Sequence, residues 1–420
     1  MVAQSLSLNK KLKPQKKDKK PPFKWTSVSV KEIAEKDHRL EASVYGIEGR
    51  QARLDLEKSK WPVVNLGNEF IENSFYLGRF KRIYVDKLSG VPFIMPSQIT
   101  EIYPKATKYI SEQTNITIES TRVKKGQVLL TRSGTIGVAS YVSETLNNKS
   151  ISDDVIRIEC KEYSGYIYAY LKSKTGRLLI ETNNYGAVIS HIEPVHLNNI
   201  PIPNPHPILK QQIHNLIKES FRLRDESNEL LDEAQLLLKE ALQLPDIEKP
   251  QAKVKQFDNK ANFLNYPVKL SDLENRLDGS YHVPIVKMIE QHLQENAKEI
   301  TTVGDLRVSQ AVILPGRFKR IYVEKGSGTV FFGGKQLYEL DPSNKKYLSL
   351  KQHGDRIKDE LKIHINTTLI TRSGTIGKVS IVPGIGIVGY QMNILSVSSL
   401  QTMKFQVIFL HGYQVPMLDL

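Results

Sequence analysis

A single cysteine, Cys160, is all the thiol chemistry that 420 residues offer. One thiol excludes an intramolecular disulfide framework and any cysteine zinc cluster. No apolar run approaches the ~20 residues needed to cross a bilayer. The N-terminal charges are not followed by the apolar core of a secretory signal, so the chain is expected in the cytoplasm. A motif of nucleotide chemistry is missing as well: there is no Walker-type Gly-x-x-x-x-Gly-Lys-Ser/Thr. Asn183-Asn184-Tyr185-Gly186 lacks the prolines of an adenine-methylase motif. Asp246-Ile247-Glu248-Lys249 has a nuclease-like order, but it lies in a polar stretch with no strand pattern, and chance explains it.

Negative charge is also in short supply. Against 59 Lys and Arg stand 45 Asp and Glu, a net charge of +14 with pI ≈ 9.4. A basic protein gains counterion-release free energy on a polyanion, so nucleic acid is the expected partner class. Part of the excess sits in the first 24 residues, which hold eight lysines against one Asp, with Pro14, Pro21 and Pro22 among them. That tail reads as disordered, either a solubilising leader or a non-specific DNA tether. The remainder is basic too. Across the whole chain, 40% hydrophobic and 25% charged content is ordinary for a globular protein.

What the chain does have, it has twice. Gly78-Arg79-Phe80-Lys81-Arg82-Ile83-Tyr84-Val85 returns unchanged at 316–323, and Thr131-Arg132-Ser133-Gly134-Thr135-Ile136-Gly137 returns at 371–377. The match extends outward, from Arg39-Leu40-Glu41-Ala42-Ser43 to Arg276-Leu277-Asp278-Gly279-Ser280, and from Val128-Leu129-Leu130 to Thr368-Leu369-Ile370. A repeat this long is a duplicated domain, not a solenoid unit. Alternation at Phe80, Ile83 and Val85 predicts a strand with one face in the core and cations on the other. Residues 128–142 read as strand, tight turn, strand. A helix is expected at Tyr166–Leu171, and Ile200-Pro201-Ile202-Pro203 is held extended by its prolines.

Two readings of the repeated blocks stand side by side. Arg79, Lys81, Arg82 and Tyr84, with Arg317, Lys319, Arg320 and Tyr322, place cations beside an aromatic in both copies. Arginine clasps phosphate or a guanine edge bidentately. Arg132, Ser133 and Thr135, with Arg372, Ser373 and Thr375, offer a cation, hydroxyls and turn amides to phosphate oxygens. The alternative is structural: Gly134 and Gly137 supply positive φ to a hairpin, and Arg132 pairs with a carboxylate.

Between the copies, residues 208–244 carry no proline or glycine. Leu209, Ile213, Leu216, Ser220, Leu223, Ser227, Leu230, Ala234, Leu237, Ala241 and Leu244 fall at alternating steps of four and three, a coiled-coil seam. Pro207 suits the first turn of such a helix and Pro245 its end. The alternative is an amphipathic helix packed on its own domain. The expected fold is therefore α+β: a basic tail at 1–24, a first α/β domain at 25–205, a spacer helix at 206–244, a linker at 245–262 and a second domain at 263–420. Phe405 to Leu410 match Tyr166 to Leu171. Nothing after them matches the Gly186 segment, the Ile-Pro-Ile-Pro stretch or the heptads, and His411 to Leu420 diverge, so the second copy reads as truncated.

This order of motifs resembles the specificity subunit of Type I restriction-modification systems, over roughly residues 25 to 410. It is carried by Arg276 to Tyr281 (loosely Arg39 to Tyr45), the two pairs of repeated blocks, and Ile200-Pro201-Ile202-Pro203 running into Gln211-Gln212-Ile213 and the heptads. The resemblance implies two target recognition domains, each reading one half of a bipartite DNA site. It further implies an antiparallel coiled coil that fixes the gap between half-sites and docks methyltransferase subunits. The chain itself would be non-catalytic and hold no cofactor. Methyl transfer from S-adenosylmethionine to adenine would belong to the methyltransferase subunits, and ATP-Mg-driven cleavage to a restriction and translocase subunit. With the truncation, self-association through the coil is an expected substitute, and an inactive subunit is one alternative. Others are a coiled-coil adaptor or a hydrolase using carboxylates such as Asp153 and Asp154, a pair the second copy replaces with Gln391, Met392 and Asn393.

Overall fold

The computed structural model describes residues 26–35, 38–40, 42–182, 191–244, 266–273, 275–314, 316, 318–339, 345–356, 367–371, 378–381 and 394–399. The expected tail and linker, Arg317, Arg372, Ser373, Thr375 and everything from 400 onward lie outside these residues.

The first unit runs α1 (Val30–Glu35), α2 (Ile47–Glu57), β1 (Val63–Asn65), α3 (Leu66–Phe70), β2 (Ile71–Phe75), β3 (Tyr84–Val85), β4 (Val91–Ile94) and β5 (Lys108–Ile110). It continues with α4 (Ile118–Thr121), β6 (Val128–Thr131), β7 (Ala139–Tyr141), β8 (Ser150–Ile151) and β9 (Val155–Cys160). Then come α5 (Ser164–Lys172), α6 (Lys174–Glu181), α7 (Pro194–Asn198), β10 (Pro201–Pro203) and the long α8 (Pro207–Ala241). The second unit holds α9 (Pro284–Asn296), β11 (Ser309–Ile313), β12 (Tyr322–Val323), β13 (Gly328–Phe331), β14 (Lys346–Ser349), α10 (Leu350–Arg356), β15 (Thr368–Thr371), β16 (Val379–Ile381) and β17 (Ile394–Ser399).

The duplication in sequence is a duplication in topology. One antiparallel sheet of the first unit has the order β2-β9-β6-β7, and the second unit repeats it as β11-β17-β15-β16. The other sheet runs β3-β5-β4-β8, with β8 parallel to β4, and returns as β12-β14-β13. Register fixes the equivalence: Thr131 opposes Val155 as Thr371 opposes Ile394.

Strand β6 lies at the centre of the first unit, buried on both faces. Val128 and Leu130 face Ile156, Ile158, Tyr166, Ile167, Leu171, Leu179 and Ile180, under the helices. Leu129 points the other way, into Ile94, Ile99, Val123, Val142, Leu146, Ile151 and Val155 between the sheets. Each such aliphatic side chain contributes about 1.5–3 kcal/mol by leaving water. The strand-turn-strand expectation holds, with Gly134 and Gly137 at φ 73 and 74 in the turn. The strand expected from Phe80 does not form: only Tyr84–Val85 pairs. Upstream, Lys81 N donates to Asn115 Oδ1 at 2.9 Å, so a side chain replaces the ladder there. Phe80 stacks edge-on against Phe93, and Ile83 is 36% exposed instead of facing the core.

Helix α8 differs in part from the expected coiled-coil seam. Its inner face carries Ile213, Ile217 and Phe221, which pack on the first unit, Phe221 between the rings of Tyr141 and Tyr168. Gly165 of α5 allows the approach, because a Cβ there would lie 2.8 Å from the His214 carbonyl oxygen. Farther along, the buried Asp225 carboxylate accepts from Ser143 Oγ at 2.8 Å, Thr145 Oγ1 at 2.6 Å and the amides of Glu144 and Thr145. Leu216, Leu223, Leu230 and Leu237 of the expected seam are 52–69% exposed. They form a second stripe, offset from the inner face by roughly a third of a turn. Leu209 and Ala234 are half-buried.

Candidate nucleic-acid interface

The repeated arginine block ends on an edge strand in each unit, because β3 and β12 both terminate their sheets. The same side chains are exposed in both copies. Lys81 and Lys319 are exposed, Tyr84 and Tyr322 are 46% and 41% exposed, and Arg79 is exposed. A lysine from the neighbouring strand covers each tyrosine ring: Lys108 Nζ lies 4.8 Å from the Tyr84 centroid and Lys346 Nζ 5.3 Å from that of Tyr322. Neither lysine was singled out from the sequence, though the signal was there, since Lys108-Tyr109-Ile110-Ser111 returns as Lys346-Tyr347-Leu348-Ser349. The support beneath is repeated as well, with Phe80 edge-on to Phe93 at 6.2 Å and Phe318 edge-on to Phe331 at 6.3 Å. In the second unit Tyr322, Val323, Glu324, Lys325, Lys345, Lys346 and Tyr347 line an open cleft of ≈ 370 Å³. Paired cations beside an exposed ring on a strand edge suit a phosphate backbone with a base or sugar next to it.

Arg82 has a different setting from its neighbours. Its guanidinium pairs with Asp153, with Asp154 at 3.9 Å, and it lies 5.8 Å from the Phe80 and Phe93 rings. Burial works against its charge, but the hydrogen bonds to Asp153 and Tyr84 outweigh that and raise its pKa. Arg132 is likewise held, with Glu193 at 2.6 Å, Asp154 at 3.9 Å and the Tyr76 ring at 4.1 Å, and its side chain is 12% exposed. Ser133 Oγ lies 3.1 Å from Asp154 Oδ1 and 2.9 Å from His191 Nδ1. Thr135 enters through its carbonyl, which accepts from Thr131 Oγ1. In the first copy this turn therefore carries the structural features set out as the alternative: positive-φ glycines and an arginine paired with a carboxylate. Arg320 is half-buried, 6.0 Å from the Phe331 ring.

The same geometry bears on the hydrolase alternative. Asp153 and Asp154 are partners of Arg82, Arg132 and Ser133. Ser133, His191 and Asp154 contain the residue types of a hydrolytic triad, but the hydroxyl is the hub. A nucleophile needs the imidazole between hydroxyl and carboxylate, and here the carboxylate bonds the serine instead. Among the described residues no group of three or more His, Cys, Asp or Glu could hold a metal ion, and no helix is long and apolar enough to cross a membrane.

No family model and no curated relative matches the chain. Solved structures that resemble it include the S subunit of a Type I restriction-modification system from M. genitalium, at 12% identity and TM-score 0.28, over 84% of this chain and 76% of that one. The HsdS subunit from Thermoanaerobacter tengcongensis is similar at 14% identity and TM-score 0.27, over 86% of this chain and 80% of that one. A structure from work on complex assembly and conformational transition of the type I restriction-modification system is similar at 14% identity and TM-score 0.26, with the same coverages of 86% and 80%.

Proposed function

We propose that this chain is the non-catalytic DNA-recognition subunit of a Type I restriction-modification complex. Each unit reads one half of a bipartite duplex site, and α8 spaces the units and presents its exposed leucine stripe to methyltransferase subunits. The observation that carries the reading is the doubled edge: Tyr84 and Lys108 in one unit and Tyr322 and Lys346 in the other, on equivalent strands of equivalent sheets, each with an exposed lysine, Lys81 or Lys319, three residues before the tyrosine. A catalytic centre has no need of two copies built alike around cations and a ring. A reader of two half-sites does. The lysines supply phosphate contacts, which position the protein without specifying sequence, and the residues that differ between the copies within 97–121 and 336–365 supply base discrimination. At about 1.5 Å per residue the 35-residue α8 is ~52 Å long, about one and a half turns of duplex. Methyl transfer and ATP-driven cleavage, with their cofactors, belong to the partner subunits.

The test is co-expression with a methyltransferase subunit of its own system, co-purification, and mapping of methylated adenines in the host DNA. A single bipartite methylated motif is the expected result. A complex without any methylated motif would make this an inactive subunit, and no complex at all would remove the restriction-modification reading.

A further inference from the structure

We infer that the segment 98–103 is the joint that sets the spacing and mutual orientation of the two DNA-reading units; its functional consequence rests on the reading proposed above. In the first unit the turn after β4 is closed by Gln98, whose amide donates to the Met95 carbonyl at 2.9 Å while its Oε1 accepts from the Met95 amide at 2.9 Å. Gln336 closes the equivalent turn after β13 in the same way on Gly333, at 3.0 and 2.8 Å. Three residues past each glutamine stands a glutamate, and these two, Glu101 and Glu339, pair with each other as an antiparallel bridge. The Ile102 amide donates to the Tyr338 carbonyl at 2.6 Å. A residue that pairs antiparallel with its own equivalent is the signature of a local two-fold axis, an isologous contact within one chain.

Two further groups lock the joint. Lys378 Nζ lies 3.6 Å from Glu101 Oε1, both side chains about four-fifths buried at 21% and 17% exposure. On the opposite side, Arg224 of α8 donates from Nε to the Ile102 carbonyl at 2.7 Å and from its terminal nitrogen to the Glu101 carbonyl, and Asn228 reaches the Ile102 carbonyl at 3.4 Å. Residues 101 and 102 thus bind the second unit through their amide and carboxylate and the spacer helix through their carbonyls. Units related by a two-fold axis present β3 and β12 in inverted orientation, which matches the two-fold symmetry of a duplex. With α8 spanning the units, this contact holds the reading edges at one separation and orientation, and Glu101, Lys378 and Arg224 are positioning residues for half-site spacing.

The experiment has two arms on the full chain. In a Cys160→Ala background, Glu101→Cys with Glu339→Cys puts thiols on bridge partners, whose Cα atoms lie about 4.5–5.5 Å apart in an antiparallel pair. That is within the roughly 4.4–6.8 Å a disulfide spans. Mild oxidation is expected to give near-complete crosslinking, visible as a faster band on a non-reducing gel. Crosslinking no faster than in a Glu101→Cys, Glu324→Cys control overturns the joint, whatever the protein does with DNA. In the second arm the unmodified chain and Glu101→Lys each select from a pool of randomised duplexes. The reversal is expected to keep both half-site sequences and at least double the range of accepted spacings. An unchanged spacing overturns the positioning role. If the unmodified chain selects no bipartite motif while the disulfide forms, the joint stands as a structural contact and the DNA reading fails.

Discussion

The two copies carry the same arginine in the same octapeptide, yet they cannot use it in the same way. In the first, Arg82 is paired with Asp153, which is only 4% exposed, beside Asp154. In sequence, the second copy has Met392 and Asn393 immediately before β17 where the first has Asp153 and Asp154 immediately before β9, and Arg320 is half-buried 6.0 Å from the Phe331 ring. The lysine and tyrosine beside the arginine keep the same exposure in both. Identity of sequence between duplicated units therefore marks a shared scaffold, and a side chain's function is decided by the strand that packs against it. By this comparison Arg82 is tied into the first unit, while the proposed DNA contacts fall to the exposed lysine-tyrosine edges of both.

The largest effect separating the two roles is expected from stability. Arg82→Ala leaves a buried carboxylate without its partner, at a cost of about 3–5 kcal/mol. Arg320→Ala is expected to cost under ~1 kcal/mol, in the range of substitutions that break no buried pair. Urea denaturation of each variant measures the difference, and equal losses would break the comparison. Next in size is the DNA arm. Lys81→Ala and Lys319→Ala are each expected to lower the slope of log affinity against log salt by about 1, with no change in the urea midpoint. Arg82→Ala, assayed under conditions where it is folded, should leave that slope unaltered. On α8, Leu223→Glu with Leu230→Glu is expected to shift stability by no more than about 0.5 kcal/mol, because both side chains are already exposed, while co-purification with methyltransferase subunits is lost. The same pair of changes on the inner face, at Ile217 and Phe221, should unfold the first unit instead.

The smallest expected effect concerns Cys160 at the end of β9, whose thiol burial pushes up to about 12. An unperturbed thiol titrates near ~8.5, so at pH 8 the folded protein holds on the order of a thousandfold less thiolate than the unfolded chain. Alkylation by iodoacetamide at pH 8 should be negligible until urea opens the first unit, which makes Cys160 a reporter of that unit alone.

Much of the fold was legible because it depends on local pattern. The duplication, the strand-turn-strand at 128–141, the extended Ile-Pro-Ile-Pro stretch and the helix from Pro207 follow from apolar spacing, glycine and proline. The site was legible in its residue types and less so in their roles. Asp153 and Asp154 look like candidate acids in sequence, but they meet Arg82 and Arg132 only through sheet pairing. Lys108 reaches Tyr84 from a different strand, so the pair has no local signature. The inner face of α8 escaped the heptad reading because its strongest ties are polar, Arg224, Asp225 and Asn228, and a search for apolar periodicity passes over them. The joint at Glu101 and Glu339 depends on two distant turns meeting, which no local pattern encodes.

The central claim is that each unit reads its own half of one site. A methylated-adenine map from cells expressing the methyltransferase subunits with the Lys319→Ala, Tyr322→Ala, Lys346→Ala variant tests it most directly. The map is expected to show one half of the bipartite motif intact and methylation reduced or degenerate at the other half alone. Uniform weakening of both halves, or a motif unchanged from that of the parent chain, would contradict it.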